Sequence, residues 1–130
     1  MAVDTSAVLA ILFSEADATA YLEAIDAVDD LVMSAGTFSE LGIILRVRLG
    51  DEAPRVIDSL LLRSGLAVEP LTEMQARSAW SAYQRFGKGL HPAGLNFGDC
   101  FAYALAKERG EPLLFKGNDF AQTDIESALA

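Results

Sequence analysis

Short apolar runs alternate along this chain with longer amphipathic stretches. The runs predict strands at residues 1–3, 31–33, 66–68 and 113–115. In residues 37–49, by contrast, apolar side chains recur at helical spacing. Strands that alternate with helices build a parallel sheet, and strands without polar alternation are typical of a sheet covered on both faces. The pattern therefore predicts an α/β fold, a three-layer α/β/α sandwich with a central parallel sheet.

The remaining elements follow from periodicity and capping signals. We expect a Gly/Pro-containing loop at 87–94 and a short last strand at 123–125. Helices are expected at 6–13, 15–28, 37–49, 52–63 and 72–86, with a sixth that begins near Phe97 and ends at Gly110.

Length and composition restrict the class of protein. The 130 residues suffice for one domain, spanning 1–130, with its own core. The N-terminus has no signal-peptide pattern, no apolar run is long enough to cross a membrane, and the single cysteine cannot form an intrachain disulfide. These features predict a cytoplasmic protein. The net charge of −9 argues against a general electrostatic nucleic-acid binder, but it is compatible with an acidic pocket that holds cations.

Four carboxylates occur near the ends of predicted strands or the starts of helices. Asp4 follows the first strand, and Asp119 follows the strand at 113–115. Glu40 is predicted in the first turn of the helix after the second strand, and Asp99 in the first turn of the helix after the glycine-rich loop. In a parallel sheet the strand ends that lead into helices share one edge. We therefore expect these four side chains to converge.

Each carboxylate also has a purely structural interpretation. Asp4 and Asp119 are possible helix caps, and Thr37 with Glu40 and Asn96 with Asp99 both have the spacing of a capping box. As a group, however, converging carboxylates in apolar sequence repel one another, and a divalent cation relieves that repulsion. Because no Cys/His cluster accompanies them, the expected ion is Mg²⁺, with Mn²⁺ as a substitute.

At this point the sequence resembles the PIN-domain proteins, and in particular the VapC toxin ribonucleases of toxin–antitoxin pairs. The resemblance covers the whole chain in order. The matching segments are VDTSA at 3–7, FSEL at 38–41, LNFGDCFAYALA at 95–106, LLFKGNDF at 113–120 and TDI at 123–125. It implies an α/β/α sandwich, homodimerisation, Mg²⁺-dependent cleavage of structured RNA, and inhibition by a VapB-type antitoxin whose C-terminal segment enters the active site.

The resemblance also implies roles for individual residues. Asp4 and Asp99 would be the principal metal ligands, and Glu40 and Asp119 would complete a catalytic quartet. Supporting groups around the ligands would be Thr5 and Ser6, which orient Asp4, together with Asn96. Many relatives have two acidic residues after the fourth strand; here Gly117 stands in place of the first, which makes Asp119 the only one.

Three basic side chains, Lys88, His91 and Lys116, are candidates for contacts with RNA phosphates, and equally for solvated loop charges. The run Leu60-Leu61-Leu62 exceeds what one buried helix face needs, which independently favours a homodimer.

Two other functions remain as alternatives to a nuclease. One is a catalytically weak or inactive interaction module of the same fold. The other is a receiver-type phosphorylation switch, but that class needs an aspartate at the end of the third strand, where this chain has Val68-Glu69-Pro70.

Overall fold

The computed structural model describes residues 1–129, and they form the predicted alternation of strands and helices. The strands are β1 (Ala2–Val3), β2 (Val32–Ser34), β3 (Ala67–Glu69) and β4 (Leu113–Leu114). The helices are α1 (Thr5–Leu12), α2 (Ala18–Asp26), α3 (Ala35–Leu49), α4 (Ala53–Ser64), α5 (Glu73–Phe86) and α6 (Phe97–Arg109), with 3₁₀ turns at Gly50–Glu52 and Phe120–Gln122.

The strands form one parallel sheet with the order β3-β2-β1-β4. Ala2 is in register with Val32 of β2 on one side and with Leu113 of β4 on the other. The chain leaves β1 toward β2 and later returns to the opposite side of β1 as β4. A crevice at such a reversal of strand order, beyond the carboxyl ends of the strands, is where open α/β sheets bind ligands.

Successive strand residues point to opposite faces of the sheet, and each face has its own apolar cluster. Ala2, Val32 and Leu113 pack with the buried side of α5 and α6. Their neighbours Val3, Met33 and Leu114 pack with α1, α2, α3 and α4. The predicted three-layer α/β/α sandwich with a central parallel sheet is therefore confirmed.

Several local predictions are wrong. The second helix was expected at 15–28 but spans only Ala18–Asp26. Residues 123–125 do not form a strand; the chain reaches the sheet only at Ser127, which makes an isolated parallel bridge with Leu113. The Thr123 hydroxyl donates instead to the carbonyl of Phe120 and accepts from the N–H of Ile125, which makes a local turn. The expectation that the strands are covered on both faces is also wrong for the edge strand β3, whose Ala67 and Val68 are exposed.

No helix within residues 1–129 is long and apolar enough to cross a membrane.

Candidate active site

Asp4 lies directly after the central strand β1 and is buried. Its backbone N–H donates to the Leu114 carbonyl (2.9 Å), which holds it beside β4. Its Oδ2 accepts from the backbone N–H of Ser6 (3.0 Å) and from the Ser6 hydroxyl (2.7 Å), so Asp4 caps α1. Its Oδ1 is buried and has no hydrogen-bond partner among residues 1–129. Burial raises the pKa of Asp4 above its usual value, because the hydrogen bonds from Ser6 offset only part of the desolvation cost.

The Glu40 carboxylate is held between two other elements. Its Oε1 accepts from the Thr5 hydroxyl at 2.9 Å. Its other oxygen lies against the Cα of Gly98, so closely that a methyl group at position 98 would stand 1.7 Å from Oε2. Thr5 therefore orients Glu40 through its side chain, and only Ser6 orients Asp4 in this way, which corrects the expectation that both would serve Asp4.

Glu40 also lies one helical turn further along α3 than its sequence context suggested. The helix begins at Ala35, and its N-cap is Ser34, whose Oγ accepts from the Gly36 N–H (3.2 Å). The expected capping box of Thr37 with Glu40 is therefore wrong. Thr37 is buried inside the helix, and its hydroxyl has no partner in the described part of the chain. Glu40 in the second turn is free to point toward Thr5 instead.

Asp99 forms the predicted capping box with Asn96. The Asp99 N–H donates to Asn96 Oδ1 (2.8 Å), and the Asn96 N–H donates to Asp99 Oδ2 (2.9 Å). Burial is the largest influence on this carboxyl, and the negative charges of Asp4, Asp119 and Glu40 add to it, which raises the pKa of Asp99 to about 7. A position at a helix start usually favours the charged carboxylate and so lowers its pKa. Desolvation outweighs that contribution here.

Asp119 is the most open member of the group. It is exposed, stands at the start of the 3₁₀ turn Phe120–Gln122, and its side chain makes no capping hydrogen bond there. Its charge is nevertheless close enough to contribute to the raised pKa of Asp99. The segment after β4 is attached to the site through Lys116, whose backbone N–H donates to the Ser6 hydroxyl at 2.9 Å.

The donor set fits a hard divalent cation that keeps most of its water. Within residues 1–129, no three His, Cys, Asp or Glu side chains are grouped closely enough to enclose a metal ion. The buried, unpartnered Asp4 oxygen and the raised pKa of Asp99 both indicate negative charge without full compensation. Mg²⁺ is commonly bound by one or two carboxylates, with water and substrate phosphate completing its octahedron. Asp4 and Asp99 are the residues suited to that arrangement.

The three basic candidates have different surroundings. Lys116 binds Glu15 and Asp17 through its Nζ, so its charge is already compensated, and these contacts raise its pKa. Nothing in the sequence indicated this contact, because the partners lie about a hundred residues earlier. His91 Nδ1 accepts from the Ala93 N–H, and its ring packs edge-on against Phe86. Lys88 borders a groove between α5 and α6.

Apolar surface surrounds the start of α6. Phe97 is 77% exposed and packs edge-on against Phe101, with ring centroids 4.8 Å apart. The two rings separate the groove between α5 and α6, about 730 Å³ in volume, from a smaller cleft of about 380 Å³ that reaches Glu40.

Cys100, one turn into α6, is buried, and its thiol donates to the Asn96 carbonyl at 3.3 Å. Burial raises the pKa of Cys100 to about 11.

The sequence matches the PIN domain family over residues 1–126. A curated relative named ribonuclease VapC28, from Mycobacterium tuberculosis, is 51% identical over 130 residues, which cover 99% of this chain and 98% of the relative.

Two solved structures share the fold at low sequence identity. The first is M. tuberculosis VapC20, described as a toxin that cleaves the sarcin–ricin loop; it has a TM-score of 0.76 at 19% identity, over 95% of this chain and 94% of that one. The second is a toxin–antitoxin complex from Klebsiella pneumoniae, with a TM-score of 0.65 at 18% identity, over 94% of this chain and 91% of that one.

Proposed function

The chain belongs to the PIN-domain family, and we propose that it is a Mg²⁺-dependent endoribonuclease that acts as the toxin of a VapBC-type toxin–antitoxin pair. Its 51% sequence identity to relatives named VapC ribonuclease supports the ribonuclease activity. The observation that carries the metal dependence is the buried Asp4 oxygen without a partner, beside a second carboxyl, Asp99, whose pKa is raised to about 7. A cytoplasmic location is part of the same proposal.

In this mechanism Asp4 and Asp99 would hold the metal, and Glu40 and Asp119 would extend the acidic site around it. A bound Mg²⁺ supplies Lewis-acid stabilisation of the phosphate oxygens and makes a coordinated water easier to deprotonate. Ser6 holds Asp4, Asn96 holds Asp99 and Thr5 holds Glu40 through the hydrogen bonds described above. These supports matter because groups that orient metal ligands commonly contribute about 10–100-fold to metal affinity or activity. The exposed Asp119 is the least constrained member.

The decisive experiment follows RNA cleavage with and without divalent metal. Wild-type protein treated with EDTA should lose cleavage of a structured RNA and regain it with Mg²⁺ or Mn²⁺. Asp4→Asn and Asp99→Asn should each reduce cleavage by at least roughly a hundredfold, on the scale of one lost electrostatic catalytic group. Wild-type cleavage by a folded Asp99→Asn variant would refute the proposal. A folded wild-type protein that cleaves no RNA with either metal would instead support the inactive interaction module.

The proposed partner is a VapB-type antitoxin with a basic segment. The net charge of −9 and the acidic site suit a basic peptide, and an arginine can bind carboxylates through two parallel charge-assisted hydrogen bonds. Co-purification with the small protein encoded beside this chain should give a tight complex, in which RNA cleavage is suppressed. Full cleavage activity in a saturated complex would contradict this part of the proposal.

A further inference from the structure

Gly98 contacts the carboxylate of Glu40 without a side chain of its own. An ideal Cβ at position 98 would lie 1.7 Å from Oε2, 2.5 Å from Cδ and 2.9 Å from Oε1 of Glu40. Real Cβ atoms essentially never come within 3.0 Å of a heavy atom that lies outside their own residue and its chain neighbours. The Glu40 carboxylate therefore occupies the volume that any other residue at position 98 would fill.

The backbone gives no separate reason for glycine at this position. Gly98 is the second residue of α6 and is not among the glycines with positive φ. A glycine in a helix is less favourable than alanine, because it loses more backbone freedom on folding. Here the capping of α6 is done by its neighbours Asn96 and Asp99. What distinguishes position 98 is its contact with Glu40.

Two contacts from different elements therefore determine where the Glu40 carboxylate lies. The Thr5 hydroxyl at the start of α1 binds Oε1 at 2.9 Å, and the bare Cα of Gly98 at the start of α6 lies against Oε2. Asp4 precedes Thr5 in the chain and Asp99 follows Gly98. The same two chain segments thus carry the two proposed metal ligands and hold Glu40 between them.

We propose that Gly98 is a positioning residue, which sets the place of the Glu40 carboxylate in the acidic site. This inference rests on the proposed function for its consequence in metal binding, but the contact itself does not depend on it. An alanine at position 98 displaces Glu40 from between Thr5 and α6. The fold tolerates that change, because the atoms in conflict belong to the end of a flexible side chain.

The test is a double-mutant cycle between positions 98 and 40. Wild type, Gly98→Ala, Glu40→Ala and the double variant are compared for Mn²⁺ affinity by calorimetry and for melting temperature without metal. Gly98→Ala should weaken Mn²⁺ binding about tenfold when Glu40 is present, the lower end of what supporting groups contribute. In the Glu40→Ala background it should leave Mn²⁺ affinity unchanged and raise the melting temperature, because alanine favours the helix.

Gly42→Ala is the matched control. Gly42 lies in α3, the helix that carries Glu40, and an added Cβ there would meet only Ile57 Cδ1, at an ordinary 3.8 Å. This variant should keep the wild-type Mn²⁺ affinity and RNA cleavage.

The outcomes separate this inference from the proposed function. Unchanged Mn²⁺ binding in Gly98→Ala, or an equal loss with and without Glu40, would overturn the role of Gly98. If wild type binds no Mn²⁺, the proposed function fails, and the metal-free melting temperatures decide the positioning role alone. An effect of Gly98→Ala on melting temperature that differs between the two backgrounds supports the contact, and equal effects refute it.

Discussion

At the scale of single residues, Asp99 combines two roles that oppose each other. Its hydrogen bonds with Asn96 stabilise the start of α6, yet its burial among other carboxylates raises its pKa to about 7. A carboxyl whose pKa is higher in the folded state than in the unfolded chain binds more protons when folded. Its contribution to stability is therefore largest at low pH and declines as the pH rises from about 4 to about 7.

We expect this decline to be visible in the metal-free protein. The wild-type melting temperature in EDTA should fall between pH 5 and pH 8 relative to that of Asp99→Asn, which cannot ionise at this position. Asp51→Asn, at a fully exposed carboxylate, serves as the control and should follow the wild-type profile. Parallel pH profiles for wild type and Asp99→Asn would show that the surroundings of Asp99 do not raise its pKa in the folded protein.

The contact between Thr5 and Glu40 gives a second residue-scale prediction. Thr5→Val keeps the shape of the buried side chain but removes the hydroxyl that donates to Oε1, so Glu40 loses its partner. RNA cleavage should fall by about tenfold or more. Thr5→Ser retains the hydroxyl and should keep most of the activity. Equal cleavage rates for the valine and serine variants would rule out the hydroxyl as the support of Glu40.

At the scale of elements, the prediction from sequence was most successful where one local signal decides the structure. The apolar stripe of α3 was expected at Phe38, Leu41, Leu45 and Leu49; Leu41 and Leu45 are fully buried, and Phe38 and Leu49 are partly buried. The Asn96–Asp99 capping box formed as predicted because its partners are three residues apart. The start of α3 was placed too late, because Ser34 at the end of β2 caps the helix before Thr37 can. The Thr5–Glu40 and Lys116–Glu15 contacts join distant segments and left no local signal.

The buried stripe of α3 also attaches to the core the helix that carries Glu40. Leu45→Ala should destabilise the protein by about 2–5 kcal/mol, the usual cost of removing a fully buried leucine side chain. Ile43 of the same helix is 66% exposed, so Ile43→Ala should change stability by about 0.5 kcal/mol or less. Urea unfolding of both variants measures the difference. Similar losses would mean that α3 does not attach to the core through this face.

At the scale of the whole molecule, exposed apolar side chains remain on two separate faces. Leu62 of α4 is 86% exposed although its neighbours Leu60 and Leu61 are partly buried. Trp80 and Phe97 border the groove between α5 and α6 on the other side. An isolated small domain seldom leaves this much apolar surface in water.

We therefore expect a homodimer at micromolar concentration. Light scattering should give twice the chain mass of 13.9 kDa. Leu62→Arg and Trp80→Arg each place a charge on one of the two faces, and the variant that becomes monomeric identifies the interface. A monomeric mass for the wild type would contradict the prediction.

The buried cysteine has a practical consequence for following these events. The thiolate is the form of cysteine that attacks thiol reagents, but Cys100 is buried and its pKa is raised to about 11. The natural chain should therefore react very slowly with maleimides at neutral pH. A cysteine introduced at an exposed position, such as Ser39 beside Glu40, then becomes the single point of fluorophore attachment. Because Cys100 stays unlabelled, it need not be replaced before fluorescence measurements of substrate or partner binding.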